Sequence, residues 1–180
     1  TKPDTSKDNL PFTDVASGSW YYDGVKYACD NGLMNGTGAN AFNPNADTTR
    51  SMIVTILARM EDVNTSGGAT WYTAGRAWAM ENGISDGTNM EGKITREQLA
   101  AMLYRYAVNQ GRDVSVGEDT NILSYADAFS VSEYAVSALQ WACGEGIVTG
   151  RDDGTLSPQD SALRSEFAAM LMRFCGAQQG

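Results

Sequence analysis

Three glycines spread along the chain carry the same neighbours, and this internal repetition restricts the fold more than any other feature of the sequence. An aliphatic residue directly follows each of Gly32, Gly83 and Gly146 (Leu33, Ile84, Ile147), and a second glycine stands four residues on (Gly36, Gly87, Gly150). An alanine precedes each anchor by four residues (Ala28, Ala79, Ala142), an aromatic by five (Tyr27, Trp78, Trp141) and a further aromatic by twelve (Trp20, Trp71, Tyr134). Each copy then continues into a segment opened by an arginine: Arg50, Arg96 and Arg164.

Counted from that arginine, large apolar residues recur at +3, +6, +7 and +10: Ile53, Ile56, Leu57 and Met60; Leu99, Met102, Leu103 and Tyr106; Phe167, Met170, Leu171 and Phe174. This spacing is one face of an α-helix. Each copy therefore reads as helix, glycine-rich loop, helix. The anchor glycine suits a left-handed cap after the first helix. Thr49 and Thr95 are N-caps for the second, and Thr95 with Gln98 completes a capping box that Met52 and Leu163 each half remove in the other copies. At +9 all copies carry arginine (Arg59, Arg105, Arg173), near the helix end, where a cation complements the dipole.

One such helix pair cannot bury its apolar face alone, but three can around a common axis. The expected fold is all-α: three helix–loop–helix repeats in a pseudo-threefold arrangement around a central three-helix bundle, with the twelve apolar positions as its core. The expected divisions are a polar N-terminal segment at 1–11 and repeats at 12–62, 63–113 and 114–180, all forming one module. From anchor glycine to arginine is 18 residues in the outer copies and 13 in the middle one (32 to 50, 146 to 164, 83 to 96). The shortfall is assigned to Phe42-Asn43-Pro44 and Leu156-Ser157-Pro158, which lack an evident middle counterpart. Segments 62–70 and 109–121 read as surface linkers. Asp14 and Asp127, in the aromatic–x–Asp elements Phe12-Thr13-Asp14 and Tyr125-Ala126-Asp127, read as N-caps or turn acceptors.

Composition removes several function classes. The chain has 180 residues, 42% hydrophobic and 19% charged, and so belongs to a folded globular class. A net charge of −9 disfavours nucleic acid and anionic membrane as partners. No apolar run approaches the ~18 residues that span a bilayer, and the polar start contains no signal peptide. Histidine is absent, which removes His-based triads and most catalytic zinc sites. Cys29, Cys143 and Cys175 match no metal or redox spacing and read as buried free thiols. Asp152-Asp153-Gly154 reads as a turn without the ligand series of a calcium loop. No catalytic pair of carboxylates recurs, so neither an enzyme nor a cofactor is expected.

Phe12-Thr13-Asp14-Val15, Trp20-Tyr21, Asn31-Gly32-Leu33-Met34-Asn35-Gly36, Phe42-Asn43-Pro44 and Thr49-Arg50 together resemble the S-layer-homology repeat. The segments around Thr95-Arg96-Glu97-Gln98 and from Gly146 to Glu166 resemble it too. The resemblance implies an exported bacterial protein at the cell surface or cell wall. It implies non-covalent anchoring through secondary cell-wall polysaccharide, often through a pyruvylated N-acetylmannosamine, bound in grooves between repeats. Further domains of the same chain or other surface proteins are implied partners. A degenerate module acting as a protein–protein spacer is the alternative. The family's Thr-Arg-Ala-Glu motif, incomplete in every copy here, implies that Arg50, Arg96 and Arg164 contact the ligand.

Chemistry agrees with that assignment. An arginine fork holds a ketal carboxylate through two charge-assisted bonds, and free N–H groups in a first helical turn favour an anion. Gly36, Gly87 and Gly150 allow close approach of a sugar, or else are plain turn residues. Trp20, Trp71 and Tyr134 stack on a pyranose face, or else staple helices and edge the core. Replacing the three arginines by alanine is expected to lower glycan affinity with little loss of stability.

Overall fold

The computed structural model describes residues 10–116 and 121–176; most of the polar segment 1–11, part of the second linker and the last four residues lie outside them. Among the described residues there are six α-helices and no strand: α1 (Tyr22–Asp30), α2 (Arg50–Met60), α3 (Thr73–Glu81), α4 (Arg96–Asn109), α5 (Val136–Gly144) and α6 (Arg164–Gly176). Two short 3₁₀ turns, Ala128–Ser130 and Glu133–Ala135, lead into α5. The all-α class expected from the sequence is the one observed.

The anchor glycines stop the odd-numbered helices by one device. Gly32, Gly83 and Gly146 have φ of +67°, +71° and +71°. The N–H of the next residue reaches back to the conserved-in-place alanine carbonyl: Leu33 to Ala28, Ile84 to Ala79 and Ile147 to Ala142. These are Schellman closures, in which a left-handed residue costs least when it lacks Cβ. The twelfth-position aromatics stay outside the helices they precede.

The even-numbered helices start as their caps dictate. Thr49 Oγ1 accepts the Met52 N–H, and Thr95 with Gln98 forms the reciprocal box. In the last copy only half survives, with the Leu163 N–H donating to Glu166. Their apolar faces form one core in which every one of the twelve positions except the half-buried Met60 is buried. At its far end Tyr106 stacks on Phe174 with ring centroids 5.6 Å apart, and the Tyr106 hydroxyl donates to Glu61. The cysteines are free but only half-buried, not fully buried as expected; burial pushes the Cys29 and Cys143 thiols above their ordinary value.

Helix pairing runs between copies. α2 packs on α3, α4 on α5, and α6 returns to α1, so each arginine-led helix lies against the first helix of the next copy. The even helices meet one another through side chains, as in the Tyr106–Phe174 and Arg50–Gln98 contacts. Two of the three close crossings require glycine. A Cβ on Gly24 would stand 2.7 Å from the Ala169 backbone, and one on Gly75 would stand 2.8 Å from that of Thr55. The matching residue of α5 is the buried Ala138.

Just before the even helices the three chain segments close a ring. The Thr48 N–H donates to Ala162, the Ala162 N–H to Ile94, and the Ile94 N–H back to Thr48. These residues each stand two before an arginine. Next to the ring, the N–H groups of Arg50 and Ser51 donate to Gly92 and Met90, those of Arg96 and Glu97 to Asp160 and Pro158, and those of Arg164 and Ser165 to Ala46 and Pro44.

This register corrects the position of the shortened loop. Met90 accepts the bond that Pro44 and Pro158 accept elsewhere, and Asn89 repeats the positive φ of Asn43 and Ser157 (+51°, +55° and +50°). Thr88-Asn89-Met90 is therefore the middle counterpart of Phe42-Asn43-Pro44. The missing residues match 37–41 and 151–155, upstream of it. In the outer copies that longer loop is fastened by an aspartate. Asp14 accepts the N–H groups of Phe42 and Asn43, and Asp127 those of Leu156 and Ser157. Both are acceptors from a distant loop rather than N-caps.

Two predictions follow from this packing. Gly24→Ala should lower unfolding stability by roughly 1–3 kcal/mol, because only backbone stands in the way of the added methyl. Gly18→Ala, where a Cβ would meet nothing within 4 Å, should leave the urea midpoint unchanged. At Asp14, burial raises the carboxyl pKa, but the loop N–H groups outweigh it and hold the group below 3.8. A depressed folded-state pKa gives stability that is present above the unfolded value and lost as pH falls through the folded one. Asp14→Asn should thus cost about 1–2 kcal/mol at neutral pH. The difference from the parent should shrink in unfolding curves taken below pH 3.8.

Candidate functional site

The three arginines predicted to contact a ligand lie at the seams between copies, each reaching toward a neighbour's loop. Arg164 donates from Nε to the Phe42 carbonyl (2.9 Å) and from Nη2 to the Asn35 carbonyl (2.7 Å), with its guanidinium 4.5 Å from the Phe42 ring centre. Arg96 repeats the pattern with Leu156 (2.9 Å) and Thr149 (3.2 Å), and adds an ion pair with Glu166. Both arginines are only 7% exposed. Burial, then the charge of Arg151, lowers the Arg96 pKa to about 10; burial lowers that of Arg164. Both stay charged at neutral pH. Arg50, whose partner loop is short, is half-buried and donates to the Lys93 carbonyl (2.9 Å) and to Gln98 (2.7 Å).

Two of these seams open into grooves of the same build. The Arg96 groove, about 740 Å³, is bounded by the loop Val148–Asp153, the α6 residues Glu166, Met170 and Arg173, and Trp20 from the first copy. The Arg50 groove, about 630 Å³, is bounded by the loop around Ser85 and Asp86, the α4 residues Gln98, Met102 and Arg105, and Tyr134 from the last copy. In each, one copy supplies an arginine, the next a loop and helix floor, and the third an aromatic. Trp20 and Tyr134 are 63% and 54% exposed, and Trp20 meets Tyr21 at a right angle. Trp71 is equally exposed, edge-on to Tyr72, and lines neither groove.

The predicted glycines have packing reasons of their own. A Cβ on Gly36 would meet Phe12 at 2.6 Å, and one on Gly150 would meet Tyr125 at 2.2 Å. Each is the aromatic of an aromatic–x–Asp element. Gly87 has φ +76° and lies under Met80. Of the three, Gly150 also lines a groove.

One expected source of anion affinity is removed. The first N–H groups of α2, α4 and α6 already donate to carbonyls of neighbouring loops, so they are not free for a ligand. A second source went unread in the sequence. The +9 arginines Arg105 and Arg173 stand on the groove floors, and their Nη1 atoms lie 3.4 Å from the Ile84 and Ile147 carbonyls. Their recurrence was the available signal, and it pointed equally well to the helix dipole. Arg105 is not even in the last turn of α4, which runs on to Asn109. Among the described residues no group of acids and cysteines is arranged to hold a metal.

The arginine geometry revises the expected stability cost. Arg96→Ala takes the nearer of two arginines from the buried Glu166, leaving it Arg151 at 3.6 Å, and strands the Leu156 and Thr149 carbonyls, so it should cost roughly 3 kcal/mol. Arg164→Ala strands two loop carbonyls and should cost about 1–3 kcal/mol, while Arg50→Ala should cost about 1 kcal/mol. Urea unfolding of the three variants checks that order.

The family model for the S-layer homology domain matches residues 11–51 and 124–168. An endoglucanase of Bacillus sp. (strain KSM-635) is 30% identical over 179 residues, 92% of this chain and 19% of its own length. An amylopullulanase of Thermoanaerobacterium thermosulfurigenes is 25% identical over 175 residues, 89% of this chain and 9% of its own. The surface-layer 125 kDa protein of Lysinibacillus sphaericus is 28% identical over 119 residues, 56% of this chain and 10% of its own. The chain thus spans less than a fifth of each of these relatives. A solved undecaheme cytochrome from the S-layer of Carboxydothermus ferrireducens has 23% identity and a TM-score of 0.48 over 85% of this chain and 20% of its own. S-layer homology domains are anchoring modules of the bacterial cell surface, no described helix is long and apolar enough to cross a membrane, and this chain carries S-layer homology domains at 11–51 and 124–168.

Proposed function

We propose that this chain is a non-catalytic anchor that holds an exported bacterial protein to its wall by taking an acidic secondary cell-wall sugar, a pyruvylated one, into grooves between three repeats. The repeats are those bounded at 12–62, 63–113 and 114–180. The observation that carries the reading is the double occurrence of one constellation: an arginine, a loop with helix floor, and an exposed aromatic, each from a different copy. The aromatic face suits the apolar side of a pyranose, and the cations suit a carboxylate. Local cations then overcome the overall charge of −9. The half-buried Arg50 and the floor arginines Arg105 and Arg173 are the cations left for a ligand. Arg96 and Arg164 hold the groove walls.

The same burial of Arg96 and Arg164 favours a second reading, a surface spacer whose arginines serve only the fold. Equilibrium binding to purified, pyruvylated wall polysaccharide separates the two. Anchoring predicts saturable binding that weakens with rising salt and collapses when the ketal is hydrolysed. Binding that ignores the ketal, or is absent while a protein partner is captured, overturns it in favour of the spacer. Release of reducing ends would make the chain an enzyme.

A further inference from the structure

We propose that Glu97 is a positioning residue of the Arg50 groove: without lining that groove, its carboxylate fixes the turn that presents Tyr134 to a sugar. The inference rests on the sugar-binding reading above and names a residue on which the shape of that site depends.

Glu97 directly follows the helix-leading Arg96, in the first turn of α4. The matching places on α2 and α6 hold Ser51 and Ser165, each 1% exposed, so the fold fills this buried position elsewhere without an acid. Glu97 is 2% exposed, and no lysine or arginine among the described residues forms an ion pair with it. A carboxylate so placed is tolerated only where hydrogen-bond donors surround it. Here the donors come from the last copy. Ser132 gives its N–H to Oε2 at 2.9 Å and its hydroxyl to Oε1 at 2.6 Å, and the Gln159 amide reaches Oε1 at 2.9 Å. Gln159 also donates to the Ser130 carbonyl at 3.3 Å, which closes the turn from its other side.

Ser132 precedes the 3₁₀ turn Glu133–Ala135, of which Tyr134 is the middle residue. The Ser132 side chain makes no cap to that turn and is given to Glu97 instead. Tyr134 lines the Arg50 groove with an exposed ring, and its hydroxyl stands 3.5 Å from Glu97 Oε1. Burial, then the charge of Glu97 and the bond to it, raises that hydroxyl above its ordinary 10.0, so it stays a donor at neutral pH. The bond is long and weak; the charge-assisted pair to Ser132 is the one that holds the turn. Trp20, the aromatic of the Arg96 groove, has no hydroxyl and lines that groove together with Ser165. An acid thus stands behind a phenol in one groove, and a serine accompanies an indole in the other.

The test is an NMR titration of the isotope-labelled chain with the methyl glycoside of N-acetylmannosamine bearing a pyruvate ketal, read at the Ser85 and Asp86 amides of the Arg50 groove. The Tyr134 side-chain couplings are measured before sugar is added. In the parent chain those couplings should report a single χ1 rotamer. In Glu97→Ser they should average, while the Trp20 indole N–H, in the other groove, keeps its shift. The same change should weaken sugar binding about fivefold. In a Tyr134→Ala background it should weaken binding no further, because a residue that acts through the ring loses its effect once the ring is gone. A merely structural role would lower affinity equally in both backgrounds. Should Glu97→Ser unfold, Ser132→Ala takes its place with the same expected signs, since it removes one hydroxyl and leaves the carboxylate its other donors. A single rotamer kept in the variant, or equal losses of affinity in the two backgrounds, overturns the positioning role and spares the sugar-binding reading. No saturable shift at Ser85 and Asp86 in the parent removes that reading and with it the role assigned to Glu97.

Discussion

Main-chain hydrogen bonding between copies is the constraint on which the rest depends. The start of a helix leaves several N–H groups without intrahelical partners, and away from water each must find an acceptor. Here the acceptors for the first two N–H groups of α2, α4 and α6 are carbonyls of a neighbouring copy, and the ring through Thr48, Ile94 and Ala162 links all three segments. No copy can satisfy its own backbone. Folding of any one of them is therefore coupled to the presence of the other two, and the apolar faces follow the register that these bonds impose.

The arginines extend that logic from backbone to side chain. A guanidinium has five donors and no acceptor, which suits a seam rich in loop carbonyls. Arg164 and Arg96 use theirs on Asn35 and Phe42, or on Thr149 and Leu156, and so hold the long loops against the helix tips. The middle loop, five residues shorter by the count of 18 against 13, offers Arg50 fewer carbonyls and leaves it half-buried. A deletion in one copy thus changes the state of an arginine in another. Inequality between grooves then arises without any substitution at the arginines themselves.

Most of the helical plan was legible in the sequence, because its signals are local. The +3, +6, +7, +10 spacing gave the buried face, the anchor glycines gave the Schellman ends, and Thr95 with Gln98 gave the capping box. What was not legible depends on partners remote in the chain. Periodicity says that α1 has an apolar face but not that this face meets α6. The loop deletion was misplaced because Thr88-Asn89-Met90 shares no residue type with Phe42 and Pro44 at its ends; only the bond accepted by Met90 reveals the register. The burial of Arg96 and Arg164 and the loop carbonyls they hold were not legible either, because a sequence motif carries no burial. Gly24 and Gly75 drew no notice, since nothing nearby in the chain announces that another helix's backbone crosses there.

The contact of α6 with α1 makes the assembly circular rather than open-ended. A stacked solenoid lengthens or shortens by whole units, because its end faces are interchangeable. A circle has no end face to receive another unit: a fourth copy would have to prise α1 from α6, and loss of one would strand two unmatched surfaces. Within such a circle every segment borders two others, so a change of loop or charge in one is felt at two seams rather than at one.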